Sequence, residues 1–250
     1  MMYILVFLFG LIFGSFLNVI VSRLDKKGGI LLGRSECPYC KKQLAWNDLI
    51  PIVSFLILRG KCRYCRRKIS LIYPVVELTT GLVFVLFYLK RGIPINTELV
   101  FELVIALFLI SIIFFDYLYH IIPDKIIIPL LALSLVVNFL LKKPELINLL
   151  TSGLLLGGFF AILHVVSRGE WVGLGDAKLL LLIGFYFGYP VSFLITVFSI
   201  WTAALVGLVL IVLRRASLKS ELPFGVFLSV FSIIFIIFQH EIQTFAYFFY

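Results

Sequence analysis

Charged residues are scarce in this chain of 250 residues: Asp, Glu, Lys and Arg make up 14% of it, and 62% is hydrophobic. A soluble domain is usually about 45–50% apolar and about 25% charged. The shortage of charge excludes an ordinary soluble domain and predicts an all-α polytopic membrane protein, because backbone in lipid must form its hydrogen bonds within its own segment. Acidic residues are fewer than basic ones, so the chain has a net charge of +9. Retention of basic residues on the cytoplasmic side of a bilayer explains this excess better than nucleic-acid binding.

Long apolar runs predict about eight transmembrane helices, since about 20 residues cross a bilayer. The first run lacks a basic region and a small-residue cleavage site, so we interpret it as a retained helix and not as a signal peptide. The sixth and seventh runs are the weakest division, because only residues 188–190 separate them. The eight runs cover residues 2–21, 71–89, 98–115, 126–141, 149–166, 177–189, 191–213 and 224–238.

The distribution of Lys and Arg predicts the orientation of these helices. In the eight-helix arrangement, 18 basic residues fall on one side of the membrane. The other side has four: Lys90, Arg91, Lys142 and Lys143. The richer side is therefore predicted to be cytoplasmic. Three parts follow from this arrangement, namely a first helix at 1–21, a cytoplasmic insert at 22–70 and a membrane core at 71–250.

Cysteine is absent outside one short stretch of the predicted insert. The four cysteines form two C-x-x-C pairs, Cys37 with Cys40 and Cys62 with Cys65. Such pairs are typical of a four-thiolate zinc site, and four protein ligands leave no open position for catalysis. An iron–sulfur centre and redox thiols or disulfides are the alternatives. A reducing cytoplasm argues against disulfides.

Two aspartates stand at the edges of apolar runs. Asp116 ends the third run, and Asp176 enters the sixth within Gly173-Leu174-Gly175-Asp176. Carboxylates at membrane depth are costly and usually mark a functional site. Two carboxylates that share a proton can activate water and protonate a leaving amine, while the glycines let the backbone turn and approach a substrate. The alternative is that Asp176 only caps its helix and Asp116 only ends the preceding one.

Other polar residues lie inside or beside the predicted helices. Glu77 is hard to explain by packing alone, because it lies within an apolar run. Asn18, late in the first run, either bonds across a helix contact or lines a polar cavity with Arg23. Glu98 and Glu102 are interpreted as part of a solvated outer surface.

An ordered series of motifs along nearly the whole chain resembles the bacterial prepilin peptidases, which are membrane aspartic proteases with a G-x-G-D motif. A lone G-x-G-D would be a weak signal, whereas the ordered series is highly specific. Its pieces are Gly14-Ser15-Phe16-Leu17-Asn18-Val19 with Arg23, the two C-x-x-C pairs, Tyr73-Pro74-Val75-Val76-Glu77 with Gly81, Asp116 followed by Ile122-Pro123-Asp124, Gly173 to Leu180, and Pro223-Phe224-Gly225.

The resemblance implies that Asp116 and Asp176 are the catalytic pair, supported by Gly173, Gly175, Lys178 and Asp124. Members of this family remove the basic leader of type IV prepilins and pseudopilins after a glycine. Most bacterial members then methylate the new N-terminal residue with S-adenosylmethionine, and the cysteine insert is associated with such two-activity members. The residues expected to serve methylation are Glu77, Gly81, Asn18 and Arg23.

The implied protein is a multi-pass enzyme of the bacterial cytoplasmic membrane. Its expected partners are prepilins or pseudopilins and the lipid bilayer, with no nucleic acid, in a pilus, secretion or DNA-uptake system. Two other readings stay open: a peptidase without methyltransferase activity, whose zinc insert docks substrate, and a proton-coupled transporter that uses the membrane carboxylates as a relay.

Overall fold

The structure is a computed structural model that describes residues 2–24, 33–92, 96–140, 146–217, 220–239 and 241–242. The chain forms two compact units, Met1–Ile95 and Asn96–Tyr250, each described here by itself. The last residue of the fourth predicted span, at position 141, lies outside the described residues, as do Lys142 and Lys143.

The first unit contains two long apolar helices, α1 (Met2–Arg23) and α3 (Ile72–Arg91), which pack against each other. Between them lie a short 3-10 helix at Trp46–Asp48 and the short helix α2 at Val53–Ile57. Glycine permits the close approach of α1 and α3: a Cβ built on Gly10 would lie 2.6 Å from the Cα of Gly81.

The described part of the second unit contains six helices, with α7 packed among four of the others. The helix α7 contacts α5, α6, α8 and α9, and its Leu179, Leu180 and Ile183 are fully buried. The helix α4 packs on α5 and α9. The six helices are α4 (Thr97–Tyr119), α5 (Asp124–Leu140), α6 (Leu146–Val166), α7 (Leu174–Phe187), α8 (Val191–Val212) and α9 (Phe224–Ile237).

Among the described residues, five helices are long and apolar enough to cross a membrane: α1, α3, α4, α6 and α8. The other three predicted spans form shorter helices, with 17 residues in α5 and 14 in each of α7 and α9. The described part of the chain has no β-strand, only two isolated bridges. The prediction of an all-helical, multi-pass membrane protein is confirmed, while the number of eight spans stays a prediction.

Three acidic residues lie in surroundings that differ from those expected. Asp116 is not the end of its helix, because α4 continues to Tyr119. Asp124 is the first residue of α5, although the fourth apolar run begins only at residue 126. Glu102 was interpreted as solvated, and that interpretation is wrong: it is buried within the helical unit, with 1% of its surface exposed. Packing of α4 against two other helices is what covers it.

Candidate active site

Asp116 projects from the last two turns of α4 into the interior of the second unit. Only 5% of its surface is exposed. Its Oδ2 accepts a hydrogen bond of 3.0 Å from the backbone N–H of Val226, in the first turn of α9. The N–H groups of a first helical turn have no partner within the helix, so the turn supplies donors for a carboxylate.

Gly225 makes this approach possible. A Cβ built at that position would lie 2.9 Å from Asp116 Oδ2 and 2.9 Å from Ile122 Cδ1. A Cβ built on Gly175 would similarly lie 3.0 Å from the Cβ of Ile122. Ile122 therefore lies between Gly225, beside Asp116, and the glycine that precedes Asp176. Ile122 thus contacts or belongs to three motifs that are far apart in the sequence. They are Asp116 with Ile122-Pro123-Asp124, Gly173-Leu174-Gly175-Asp176, and Pro223-Phe224-Gly225.

Asp176 lies in the first turn of α7 and is partly exposed. Its Oδ2 accepts a hydrogen bond of 3.3 Å from the backbone N–H of Gly173. Asp116 and Asp176 lie near each other, because Ile122 lies against Gly225 beside Asp116 and against Gly175 beside Asp176. Asp176 does cap its helix, but the cap alone does not explain why a second, buried carboxylate lies nearby.

Lys178 and Asp124 form a salt bridge between α7 and the start of α5. Both side chains are partly solvent-accessible, at 33% for Lys178 and 58% for Asp124. This salt bridge links the N-terminal part of α7 to the start of α5, which follows Ile122. The Asp124 carboxylate is thus occupied by a lysine, in contrast to the carboxylate of Asp116, which accepts a backbone N–H.

The first unit holds a separate polar cluster around Glu77. Its Oε2 accepts a hydrogen bond of 2.7 Å from the backbone N–H of Ile52 in the insert, and the side chains of Ser15 and Asn18 lie near its carboxylate. Asn18 Nδ2 donates to the carbonyl oxygen of Tyr73 at 3.0 Å. The cluster therefore joins α1, α3 and the insert.

The two remaining residues expected to serve methylation make other contacts. Gly81 lies at the crossing of α1 and α3, where a Cβ would lie 2.7 Å from the ring of Phe7. Arg23 Nη1 donates to the carbonyl oxygen of Gly33 at 2.9 Å. The structure thus brings Asn18 and Glu77 together, whereas Gly81 lies at a helix contact.

The four cysteine sulfurs of the insert lie within 4.8 Å of one another. The Sγ atoms of Cys37 and Cys65 are 3.8 Å apart. Sulfurs at the corners of a tetrahedron with Zn–S bonds of about 2.3 Å would be about 3.8 Å apart. The donor set and its spacing therefore fit a zinc ion.

The two C-x-x-C turns repeat the same backbone geometry. Cys37 N donates to Lys42 O at 3.0 Å, and Cys62 N donates to Arg67 O at 2.8 Å. Each turn also sends a cation over the tyrosine ring of the other: Lys42 lies 4.5 Å from the Tyr64 centroid, and Arg67 lies 4.8 Å from that of Tyr39. Such reciprocal contacts hold the two halves of the cysteine cluster together.

The thiols differ in acidity because they crowd one another. Burial opposes ionisation of Cys37, but hydrogen bonds from the backbone N–H groups of Cys40 and Tyr39 and from neighbouring thiols lower its pKa to about 7. At Cys65 the backbone N–H of Arg67 favours the thiolate, yet burial and the other three thiols raise the pKa to about 11. A bound cation would relieve this competition and allow four thiolates.

Two hydrogen-bond donors in these sites could not be predicted from the type of amino acid at their positions. The donors to Asp116 and Glu77 are backbone N–H groups, of Val226 and Ile52, and any residue except proline supplies one. The motif Pro223-Phe224-Gly225 directed attention to the region next to Val226, but it did not indicate that the backbone there contacts Asp116. Nothing in the sequence pointed to Ile52.

Comparison with known proteins connects both units to one family. Residues 8–91 match the bacterial peptidase A24 N-terminal domain, and residues 103–208 match the type IV leader peptidase family. The chain is 32% identical over 244 residues to a prepilin leader peptidase/N-methyltransferase of Bacillus subtilis (strain 168), covering 96% of each chain. It is 31% identical over 262 residues to the protein of that name from Pseudomonas putida, covering 94% of this chain and 90% of the relative. No solved structure matches the chain. The chain belongs to the type IV leader peptidase family.

Proposed function

We propose that this protein removes the basic leader of type IV prepilins or pseudopilins, after a glycine, and then methylates the new N-terminal residue. The observation that carries the proposal is that the motifs of Asp116 and Asp176 pack on the same residue, Ile122, in a chain whose relatives are prepilin leader peptidase/N-methyltransferases. The same placement makes these two aspartates the proposed catalytic pair.

In the proposed cleavage the two carboxylates share one proton, because repulsion between them disfavours double ionisation. The ionised carboxylate takes a proton from water, whose oxygen attacks the scissile carbonyl carbon. The protonated carboxyl donates its proton to the carbonyl oxygen. When the tetrahedral intermediate collapses, the C–N bond breaks and the leaving nitrogen accepts the proton that was taken from water. One hydroxyl of the intermediate gives its proton to the other carboxylate as the C=O bond re-forms. The reaction requires no metal.

The surroundings of the pair supply the rest of the proposed site. Gly175 lets Ile122 pack against the start of α7. Gly173 is exposed and has no side chain, so the backbone beside Asp176 is open to an extended substrate. The salt bridge between Lys178 and Asp124 holds the first turn of α7 in place, so these two residues are proposed to position the pair.

The eight-span arrangement explains how substrate reaches the site. With the insert in the cytoplasm, Asp116 and Asp176 both lie at the cytoplasmic edge of the inner membrane, where water is available. The apolar helix of a prepilin would lie in the bilayer, and its basic leader would remain in the cytoplasm. The scissile bond would then lie at the depth of the aspartates.

Methylation is proposed to use S-adenosylmethionine as a second substrate and to depend on the first unit. Glu77 and Asn18 form the polar cluster there, which makes them the foremost candidates, followed by Gly81 and Arg23. Cys37, Cys40, Cys62 and Cys65 would hold a structural zinc ion, which would fix the fold of the insert and leave no coordination position for a reactant.

The proposal is tested with the purified protein in lipid vesicles, a prepilin substrate and S-adenosylmethionine. Mass spectrometry should show loss of the leader and then a gain of one methyl group on the product. An intact prepilin after prolonged incubation would contradict the proposal.

A second substrate distinguishes the two activities. Pilin that already lacks its leader should be methylated directly by the wild type, and Glu77→Ala should lose this methylation while leader cleavage persists. If the wild type cleaves but never methylates, the protein is a peptidase alone. No feature of the described residues or of the relatives favours a transporter.

A further inference from the structure

The insert carries an exposed apolar surface that the proposed reactions do not use. Within residues 46–57, here called the interfacial segment, six large apolar side chains are solvent-exposed. Trp46 is the most prominent, with 80% of its surface exposed, and Ile57 has 72%. The six side chains are Trp46, Leu49, Ile50, Val53, Leu56 and Ile57. A contiguous stretch of this kind marks an interaction surface.

A hydrogen bond fixes the depth of this segment relative to α3. The N–H of Ile52 donates to Glu77, which is the sixth residue of α3. At about 1.5 Å per residue, Glu77 lies about 8 Å along the helix axis from Ile72. The 20 residues of α3 are just long enough to span a hydrocarbon core of about 30 Å. The centre of the interfacial segment therefore lies about 8 Å from the edge of the hydrocarbon core, within the depth of about 5–10 Å at which interfacial apolar groups are buried.

The segment is held there in a strained conformation. Ile52 has a φ of 58°, a region that β-branched residues rarely adopt. Such strain persists only where the surroundings impose it. The bond from Ile52 to Glu77 is one such constraint, and Phe55 packs beside Gly60 in the same part of the insert.

Exposed basic residues follow directly after the segment. Arg59, Lys61 and Arg66 are all exposed, and Arg63 combines 43% side-chain exposure with a 2.7 Å salt bridge to Asp48. Basic side chains beside exposed tryptophan and aliphatic residues are complementary to an anionic lipid surface, with the apolar groups below the headgroups and the cations among them.

We propose that the interfacial segment inserts into the headgroup region of an anionic bilayer and anchors the cysteine insert to the membrane surface. The depth set by Glu77 favours lipid over a protein partner, because a surface at that level contacts the bilayer before any substrate arrives. This anchor is distinct from the two aspartates and from the cysteine cluster, and it meets the proposed methylation cluster only through the bond from Ile52 to Glu77.

The fluorescence of Trp46 tests the proposal. The chain has three tryptophans, so Trp171→Phe and Trp201→Phe together leave Trp46 as the only one. The full-length variant is placed in vesicles of phosphatidylcholine and phosphatidylglycerol, with and without bromine on the acyl chains. We expect blue-shifted Trp46 emission, strong quenching by brominated lipid and weak quenching by aqueous acrylamide. The shift should be smaller in phosphatidylcholine alone, and an identical shift would contradict the role given to the basic residues.

A matched reporter on the same insert serves as the control. Gln43→Trp, combined with Trp46→Phe, moves the tryptophan to an exposed position beside the first C-x-x-C turn. It should be quenched by acrylamide and not by brominated lipid, while the zinc content of both variants stays equal. Equal quenching of both reporters by brominated lipid would overturn the assignment to residues 46–57.

Two outcomes with the Trp46 reporter would overturn the proposal outright. The first is an emission typical of water, unaffected by brominated lipid under all conditions. The second is an emission typical of water that shifts to the blue only when prepilin is added. That result would make the segment a docking surface for substrate.

Discussion

At the scale of single residues, the position of the Asp116 carboxylate depends on the absence of a side chain at Gly225. We expect Gly225→Ala to lower the rate of leader cleavage by about 10- to 100-fold, because a displacement of about 1 Å at a reacting group can cost that much. The new methyl group would displace Asp116 or Ile122, as both lie 2.9 Å from where it would stand. Cleavage kinetics measure the effect. Wild-type kinetics in this variant would show that the contact is unimportant.

The aspartates themselves could be predicted from the sequence, because a charged residue in an apolar run is conspicuous. Their contacts could not. Asp116 accepts its hydrogen bond from Val226, 110 residues away, and the sequence gives no measure of such a distance in space. Glu102 shows the same limit: its position near the start of α4 indicated a solvated surface, but packing of that helix buries it.

At the scale of helices, two adjacent glycines in α6 have opposite surroundings. A Cβ on Gly157 would lie 2.7 Å from the Cβ and 3.0 Å from the Cα of Leu181 in α7, whereas a Cβ on Gly158 would meet nothing within 4 Å. We expect Gly157→Ala to destabilise the protein by about 1–3 kcal/mol through overpacking. Gly158→Ala should be neutral or stabilise it by up to about 1 kcal/mol, since alanine favours the helix.

Thermal unfolding in detergent compares these two variants directly. The pair is matched in residue type, helix and substitution, so a general effect of alanine in α6 would affect both equally. Equal melting temperatures would contradict the close packing of α6 on α7.

The cysteine insert provides a second prediction at this scale. One zinc ion per chain should be present, and a chelator should expose residues 34–68 to protease before the membrane helices are affected, because small zinc modules obtain their folding free energy largely from the metal. Cys40→Ser should loosen the insert in the same way. Elemental analysis that shows no zinc, or an absorption spectrum typical of iron, would contradict this account.

At the scale of the whole molecule, each of the eight apolar runs in the sequence coincides with a helix. Hydropathy sufficed for this, because a polypeptide in lipid has few alternatives to a helix. The division into two units was not visible in the sequence, since it depends on which helices contact each other. The ends of the helices also differ by a few residues, as at Asp116 and Asp124, where polar residues extend a helix beyond its apolar run.

The predicted topology has a direct consequence for accessibility. A protease site inserted between Lys142 and Lys143 should be cut by protease added outside spheroplasts, and one inserted between Glu170 and Trp171 should be cut only after lysis. The uneven distribution of basic residues predicts that the loop with Lys142 and Lys143 lies outside the cytoplasm and that the loop with Glu170 lies inside it. Cleavage of both sites from outside would contradict the eight-span arrangement.

The most direct test of the central claim compares Asp116→Asn, Asp176→Asn and the double variant in the prepilin cleavage assay. Asp124→Asn serves as the control, because Asp124 only positions α7 through Lys178 and an asparagine oxygen can still accept a hydrogen bond from that lysine. We predict that either single substitution abolishes cleavage, that the double variant is no worse than the single ones because the pair acts as a unit, and that Asp124→Asn retains substantial activity. Normal cleavage by a folded Asp116→Asn or Asp176→Asn variant would contradict the aspartic mechanism.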